Sequence, residues 1–442
     1  MSRRFSLRHW PCYLALAVGL TGCGKTDTTD DPGTATPGGS AKATSTNNSA
    51  ADALVKDAAE LIQKRQFNEA IIKLGEAIKT DSKCAEAYFQ RAGILADAGK
   101  DRFALNDYSK AIELNDKDVR YHNMRGLFLL TRRQYETALQ DFTAAIQADP
   151  KYVQAYNNRG LVHLAQSNYA DAIADFNRAV EVDPTYVDGF NNRGFAYYQA
   201  ENDSKALVDF NKTIELNPKY VNAFNNRAML YVRNKKYKQA VNDFSAAIDL
   251  DPNNMKHYQN RAAAYLELGM KEQAQTDANR VKWLMKLDDL NTAIARNPNE
   301  PKGYIQRASH LAKGGRTEVA LANFEQAINI APESVEGLNG RAQYWYDQGD
   351  YKQAIADCNR AIEVSKKSNS WNRQTLSLRG DAYLKLGKFD EAIADFQTTE
   401  RLDPAVADAY MARAQLRHKR GDAAGAKADY DTAKAIDPSI GQ

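Results

Sequence analysis

Apolar and polar side chains follow a helical period along nearly all of the chain after residue 50. Within each stretch of about 14 residues, apolar side chains recur at intervals of three and four. This spacing gathers them on one face of an α-helix. Short turns rich in Gly, Asn and Asp, such as 166–168, separate the stretches. The pattern therefore predicts an all-α protein built from amphipathic helices.

The helical pattern itself recurs every 34 residues. Proline marks the period, because Pro150, Pro184, Pro218 and Pro252 follow one another at that spacing. Counted in slots from the start of a period, a small residue recurs at slots 8, 20 and 27, and a bulky residue at slot 24. Two insertions, of 12 and 4 residues, interrupt the series. The eleven repeats begin at residues 51, 85, 119, 153, 187, 221, 255, 301, 335, 373 and 407.

Each repeat predicts two helices joined by a turn. Small residues at three slots let the two helices approach closely, and the proline at slot 32 ends the second helix. One helix pair cannot bury its apolar face alone, so neighbouring pairs must stack. Over residues 51–440 the pattern resembles the tetratricopeptide repeat (TPR) family. The resemblance implies a right-handed α-solenoid of about eleven repeats, with a concave groove lined mainly by the first helices.

Opposite charges recur at two slots of the repeat. Arginine occupies slot 7 in ten repeats: Arg91, Arg125, Arg159, Arg193, Arg227, Arg261, Arg307, Arg341, Arg379 and Arg413. Aspartate occupies slot 23 in nine repeats: Asp107, Asp141, Asp175, Asp209, Asp243, Asp277, Asp357, Asp395 and Asp429. The first repeat exchanges the charges, with Asp57 and Lys73, which favours pairing within a repeat over a phosphate-binding strip. Such pairs fix helix register more than they add stability.

A row of amides is the first candidate for partner binding. In TPR proteins, slots 5, 6, 9, 12 and 13 tend to face the groove, where amides could bond the backbone of an extended peptide. The candidates at these slots are Asn157, Asn158, Asn191, Asn192, Phe195, Tyr198, Asn225, Asn226, Arg233, Gln259 and Asn260. Alternatively, the asparagines only buttress neighbouring helices. The set of Lys, Asn and Arg with which some TPR proteins clamp a peptide carboxylate is incomplete here.

The 12-residue insertion is the second candidate. Because residues 271–296 contain neither Gly nor Pro, the second helix of repeat 7 is predicted to continue for about 26 residues. Its apolar side chains either pack on the following repeat or form an exposed patch for a partner. The candidate patch consists of Val281, Trp283, Leu284, Met285 and Leu287.

The N-terminus predicts export and lipid anchoring. Arg3, Arg4 and Arg8 precede an apolar run that is too short to span a bilayer, as in a cleaved signal peptide. Leu20-Thr21-Gly22-Cys23 resembles the lipobox of bacterial lipoproteins, which implies cleavage before Cys23 and diacylglycerol on its thiol. Gly24 in place of Asp favours the outer membrane, facing the periplasm. The following residues are rich in Thr, Gly, Ser and Asn and predict a disordered tether.

The predicted organisation has four parts: a signal peptide at 1–22, the lipidated cysteine and linker at 23–50, a TPR block at 51–298 and a second block at 301–440. The 442 residues carry a net charge of +3. Removing the three leader arginines from the 59 Lys and Arg leaves 56, which equals the number of Asp and Glu. A neutral mature chain without a basic run gives no reason to expect nucleic-acid binding.

The repeats leave almost no sequence for catalysis. Four cysteines and six histidines show no metal-ligand spacing, and no phosphate-binding loop or catalytic triad is apparent. We therefore expect no metal, no cofactor and no enzymatic activity. The predicted function is a lipid-anchored scaffold or adaptor that binds proteins or peptides and organises an envelope complex. The alternatives are a passive spacer or a regulatory subunit of an envelope enzyme.

Overall fold

The computed structural model describes residues 49–367 and 372–440. The signal peptide, Cys23, the tether up to residue 48 and part of the 4-residue insertion lie outside this range, so the predictions made on them stay predictions. Within the described residues, no helix combines the length and the apolar character that a membrane crossing requires.

The described residues form 22 α-helices and no strand, which confirms the all-α solenoid of TPR-like repeats. The odd-numbered helices are the first helices of the repeats. In order, the helices are α1 (Ser49–Gln63), α2 (Phe67–Thr80), α3 (Ala85–Asp97), α4 (Asp101–Leu114), α5 (Val119–Thr131), α6 (Tyr135–Ala148), α7 (Val153–Ala165), α8 (Tyr169–Val182), α9 (Val187–Gln199), α10 (Asp203–Leu216), α11 (Val221–Arg233), α12 (Tyr237–Leu250), α13 (Met255–Glu267), α14 (Lys271–Arg296), α15 (Pro301–Lys313), α16 (Thr317–Ile330), α17 (Val335–Asp347), α18 (Tyr351–Lys367), α19 (Arg373–Lys385), α20 (Phe389–Thr398), α21 (Pro404–Lys419) and α22 (Ala423–Ile436).

The chain divides into two compact bodies between Lys271 and Glu272. The N-terminal body contains α1–α13, and the C-terminal body contains α14–α22. In each body, the two helices of a repeat pack against each other, and the next repeat packs on that pair. The division falls at the start of α14, whereas the sequence pattern places a domain boundary after this helix, at 298. That boundary stays a prediction.

Aromatic side chains at slot 24 fill the seam between the helices of a repeat. Phe142, Phe176 and Phe210 are completely buried. A Cβ atom added to Gly160, at slot 8 of the facing helix, would lie 2.7 Å from Cε1 of Phe176. The ring therefore occupies the space that the missing side chain leaves, which explains why small residues recur at slot 8.

The Arg–Asp pairs join the two helices of a repeat, as the sequence pattern predicts. In repeat 4, Arg159 Nε donates to Asp175 Oδ2 at 2.9 Å, and Nη2 donates to Oδ1 at 2.7 Å. The same two-bond pair occurs in at least eight of the repeats that the structure describes, at Arg91, Arg125, Arg159, Arg193, Arg227, Arg341, Arg379 and Arg413. Planar two-bond pairs of this kind are among the strong hydrogen bonds of proteins.

Several of these arginines also connect consecutive repeats. Arg159 Nη1 donates to Thr143 Oγ1 of the preceding second helix at 3.2 Å, and Arg193 Nη1 donates to Asn177 Oδ1 at 2.9 Å. These two guanidinium groups therefore each hold three helices together. A phosphate ligand would have to displace these partners, so the geometry supports a structural role for the pairs.

Repeats 1 and 8 do not have the Arg–Asp pair. In repeat 1, the expected Asp57–Lys73 pair is wrong as a direct contact, because Lys73 Nζ bonds Glu76 Oε2 at 2.8 Å. In repeat 8, Arg307 Nε donates to Asn323 Oδ1 at 2.7 Å. Burial lowers the pKa of Arg307, whereas the bond to Asp175 raises the pKa of Arg159. The amide thus leaves Arg307 without the charge compensation that the other repeats provide.

The junction between repeats 10 and 11 departs from the 34-residue spacing. Helix α20 ends early, at Thr398, and α21 begins at Pro404 rather than near residue 407. Asp403 caps α21, because its side chain accepts a hydrogen bond from the Ala405 N–H, and Pro404 stands in the first turn. Proline at this position favours the start of a helix. Here the recurrent proline therefore begins the next helix instead of only ending the previous one.

Candidate functional site

The predicted amide row forms a chain of hydrogen bonds between repeats. Asn192 Nδ2 donates to Asn157 Oδ1 of the preceding repeat at 2.9 Å, and Asn226 Nδ2 donates to Asn191 Oδ1 at 3.0 Å. Within one repeat, Asn191 Nδ2 donates to Asn192 Oδ1 at 3.2 Å. We call this set the asparagine chain. Its other bonds are Asn157 to Asn158, Asn158 to Asn123 and Asn260 to Asn225.

Burial limits what the asparagine chain can offer to a ligand. Asn157, Asn191, Asn192 and Asn260 are buried, and Asn158, Asn225 and Asn226 are half-buried. Gln259 is the exposed member of the predicted row. The bonded and mostly buried amides therefore agree with the alternative interpretation, in which the asparagines support neighbouring helices. Peptide binding by these residues stays a prediction.

The three larger candidates of the row contact one another. The rings of Phe195 and Tyr198 are stacked, with centroids 6.2 Å apart. The Arg233 guanidinium carbon lies 3.7 Å from the centroid of the Tyr198 ring, and Nη1 donates to the Tyr198 carbonyl oxygen at 2.7 Å. Arg233 also pairs with Asp203. These contacts fix Arg233 across two repeats and cover one face of Tyr198.

The long helix predicted for the insertion is confirmed, because α14 spans the 26 residues from Lys271 to Arg296. Val281 and Leu284 are buried, and Trp283 and Leu287 pack against the core around Ile305 and Leu311. These four side chains of the candidate patch therefore belong to the core of the C-terminal body. Of the five predicted patch residues, only Met285 is largely exposed, with 53% of its surface accessible.

Trp283 is enclosed by repeat 8. Its ring stacks on His310 at 4.9 Å, and its carbonyl oxygen lies 2.9 Å from His310 Nε2. The guanidinium carbon of Arg316 lies 5.3 Å from the ring centroid. A Cβ atom on Gly314 would lie 2.5 Å from Trp283 Cζ2, so glycine is required where the indole crosses the turn. The half-buried ring of Trp283 thus has protein groups on several sides.

A cavity that the sequence did not suggest lies in the C-terminal body. Its volume is about 730 Å³, within the range of ligand-binding clefts. The first helices α15, α17 and α19 supply most of its walls. The lining residues are Ile305, Ser309, Ala312, Lys313, Phe324, Val335, Glu336, Asn339, Gly340, Gln343, Tyr344, Asp347, Gln348, Asn372, Gln374 and Leu378.

The cavity lies in repeats where slot 6 no longer holds asparagine. This slot holds asparagine in repeats 4 to 7, but Gln306 in repeat 8, Gly340 in repeat 9 and Leu378 in repeat 10. A Cβ atom on Gly340 would lie 2.6 Å from Cε1 of Phe324, so no side chain fits there. Asn339, at slot 5, accepts a hydrogen bond from Thr375 Oγ1 at 2.7 Å. The end of the asparagine row after repeat 7 was the sequence signal that distinguished this region.

Carboxylates predominate among the charged groups around the cavity. Glu336, Asp347 and Lys313 line it and are exposed. Asp347 accepts a hydrogen bond from Gln343 Nε2 at 2.8 Å. Burial and the nearby Glu318 carboxylate raise the pKa of Tyr344. Among the described residues, neither Glu336 nor Asp347 has a salt-bridge partner, so the cavity carries an excess of negative charge.

Four family models, each described as Tetratricopeptide repeat, match the chain. Together they cover residues 102–276 and 333–439, which is more than half of it. The chain belongs to the tetratricopeptide repeat family. The individual matches are 102–153, 123–187 and 377–439 for the first model, 187–220 and 221–254 for the second, 333–405 for the third and 244–276 for the fourth.

Curated relatives of this TPR chain match it over limited regions. Tetratricopeptide repeat protein 36 of Xenopus tropicalis is 41% identical over 83 residues, which is 19% of this chain and 41% of the relative. Hsp70-Hsp90 organizing protein 1 of Arabidopsis thaliana is 28% identical over 133 residues, which is 28% of this chain and 22% of the relative. The chain spans less than half the length of these curated relatives.

A solved structure of PilF from Pseudomonas aeruginosa is also similar to this chain. Its sequence is 20% identical, and the TM-score is 0.44. The match covers 49% of this chain and 98% of that one.

His257 is a buried titratable group in the TPR stack. We therefore expect the free energy of unfolding to depend on pH. It occupies slot 3 of repeat 7, where Ala155 and Ala223 stand in other repeats, and neither ring nitrogen has a hydrogen-bond partner. Burial lowers the pKa of His257; Asp251 opposes this effect and Lys256 adds to it. The unfolded chain therefore binds a proton near pH 6.5 that the folded chain does not bind, so stability falls as the pH decreases from 6.5 towards the folded-state pKa.

His257 can lower the free energy of unfolding by at most about 1.4 kcal/mol for each unit of pH decrease. Urea unfolding of the full chain between pH 7.5 and 5 measures it. We expect the His257→Ala variant to lose less stability over this range than the wild-type protein. A His418→Ala variant is the control, because His418 is exposed. Parallel stability curves for the wild-type protein and His257→Ala would contradict the prediction.

Proposed function

We propose that this chain is a non-enzymatic TPR adaptor that binds polypeptide segments and organises a complex at the cell envelope, where lipid on Cys23 anchors it. The cavity between α15, α17 and α19 is the observation that carries the proposal. Here polar and apolar groups together line an open space of ligand size.

The family and its members support a binding role. TPR chains stack helix pairs into extended surfaces, and this architecture suits the binding of other proteins. The name of one relative describes an organizing protein for Hsp70 and Hsp90. That relative matches only 28% of this chain, and the carboxylate-clamp residues are incomplete here, so we propose polypeptide binding without that particular partner.

Co-purification from envelope extract tests the adaptor proposal. The full chain is compared with Gln343→Trp, which places a large ring in the cavity from an exposed position, and with Gln353→Trp, which adds the same ring at an exposed position on α18 outside the cavity. We expect partners that bind the wild-type protein and Gln353→Trp but not Gln343→Trp. If nothing binds above background, the passive spacer is the better interpretation. If all three proteins bind alike, the cavity is not the site.

Membrane anchoring follows from the lipobox at residues 20–23. We expect Cys23→Ala to move from the membrane fraction to the soluble periplasmic fraction, because the thiol that would carry the lipid is absent. Cys12→Ala is the matched control, since Cys12 lies in the leader before the cleavage site. Fractionation followed by immunoblotting measures the distribution. Membrane association of Cys23→Ala would refute the lipoprotein part of the proposal.

A further inference from the structure

We infer that the cavity of the C-terminal body selects extended polypeptide segments that carry a lysine or arginine next to an apolar side chain. This inference rests on the proposed function and adds the chemistry of the partner. Three properties of the cavity lead to it: amides and a hydroxyl in its walls, half-buried apolar side chains and an excess of carboxylates.

The walls suit a polypeptide backbone. An extended segment presents one N–H and one C=O at every residue, and both must find partners when water is displaced. Side-chain amides supply donors and acceptors together. Those lining the cavity, with one hydroxyl, are Ser309, Asn339, Gln343, Gln348, Asn372 and Gln374. Gln343 and Gln374 are exposed, so their amides can reach a bound segment.

Half-buried apolar side chains in the lining suit an apolar side chain of the ligand. Ala312, Val335 and Leu378 line the cavity and keep part of their apolar surface accessible. Phe324 and Tyr344 also line it, but both rings are buried. A Leu or Met side chain of the ligand would bury apolar surface against Ala312, Val335 and Leu378.

The exposed carboxylates at the cavity favour a positively charged ligand. Glu336 and Asp347 are exposed at the cavity and lack salt-bridge partners among the described residues, whereas Lys313 is the single cation in the lining. Unpaired charges at a rim steer ligands of opposite sign and repel those of like sign. The neighbouring Glu318 adds to the negative potential near Tyr344. A basic segment is therefore favoured over an acidic one.

Labelled peptides test the selectivity. The probes are 12-residue peptides with one central leucine in a Ser/Thr/Gln background and a net charge of +2, 0 or −2. Fluorescence anisotropy with the full chain is expected to give at least about tenfold tighter binding for +2 than for −2 at 50 mM salt. At 300 mM salt the ratio should decrease, because exposed charges are screened. Gln343→Trp is expected to lose binding of all three probes.

Reversing the charge of the cavity carboxylates tests the selectivity for basic segments separately from the adaptor proposal. Glu336→Lys/Asp347→Lys is expected to reverse the order of the +2 and −2 probes. The control Glu363→Lys/Glu391→Lys makes the same change of net charge at exposed positions outside the cavity and should preserve the order. Equal binding of both probes, reversal by the control, binding that survives Gln343→Trp or no binding of any probe would each overturn the inference. The adaptor proposal would still be decided by co-purification.

Discussion

Replacing Phe176 by alanine is expected to lower the free energy of unfolding of its repeat by about 3–5 kcal/mol. The ring is completely buried, and Gly160 faces it with no side chain that could relax into the cavity. The backbone of α7 and α8 is held by the Arg159–Asp175 pair, so the helices cannot close the gap freely. The loss should therefore approach the upper part of the range.

Native-state hydrogen exchange of the full chain measures the loss of unfolding free energy locally, in the repeat that contains Phe176. Because stability in a repeat protein is a sum of local and nearest-neighbour terms, the amides of α7–α10 should lose protection most. Phe103→Ala is the matched control, since 64% of that phenylalanine is exposed, and it should change protection by less than about 1 kcal/mol. Equal effects of the two substitutions would show that slot 24 has no special role in the seam.

Removing the carboxylate of Asp175 is expected to cost about 2–4 kcal/mol. Loss of one partner leaves a half-buried guanidinium without its counter-charge, which typically costs 3–5 kcal/mol when the pair is fully buried. The Arg159 side chain is 24% exposed, so water reduces the cost. Asp175→Ala tests the full loss, and Asp175→Asn keeps one acceptor oxygen, as Asn323 does for Arg307.

Repeat 8 provides the reciprocal experiment. Asn323→Asp supplies the missing charge to Arg307 and is expected to stabilise repeat 8 by about 1 kcal/mol. Urea unfolding and hydrogen exchange of the three variants should give Asp175→Ala as the most destabilised, Asp175→Asn as intermediate and Asn323→Asp as more stable than the wild-type protein. A destabilising Asn323→Asp would mean that the cost of burying the carboxylate exceeds the value of the pair at this position.

Local patterns predicted most of the fold. The 34-residue period, the proline positions and the missing helix breakers in 271–296 specify the helices, because turns and helical periodicity depend on neighbouring residues. The Arg159–Asp175 pairing could also be inferred, since the exchange of charges in the first repeat distinguishes pairing within a repeat from pairing between repeats. The direct Asp57–Lys73 contact failed, because Glu76 lies one helical turn from Lys73 and competes for it.

The candidate site was less predictable from sequence. The slot pattern placed Asn157 and Asn192 near the groove, but only the tertiary structure shows that each amide already has another amide as partner. The cavity depends on the orientation of Phe324 towards Gly340 of the next repeat, and no local pattern specifies that orientation. The early start of α21 likewise results from the Asp403 cap and Pro404, which compete with the repeat spacing.

The bonds that the slot-7 arginines and the asparagine chain make between repeats point in one direction along the chain. Arg193 Nη1 donates to Asn177, and Asn192 Nδ2 donates to Asn157, so the donors belong to the later repeat and the acceptors to the earlier one. The N-terminal repeats are the first to emerge, whether the chain is being made or exported. Each new repeat then emerges with donors that match acceptors already fixed in the folded part. We therefore expect the solenoid to grow repeat by repeat from its N-terminal end, with the finished portion acting as a template for the next repeat.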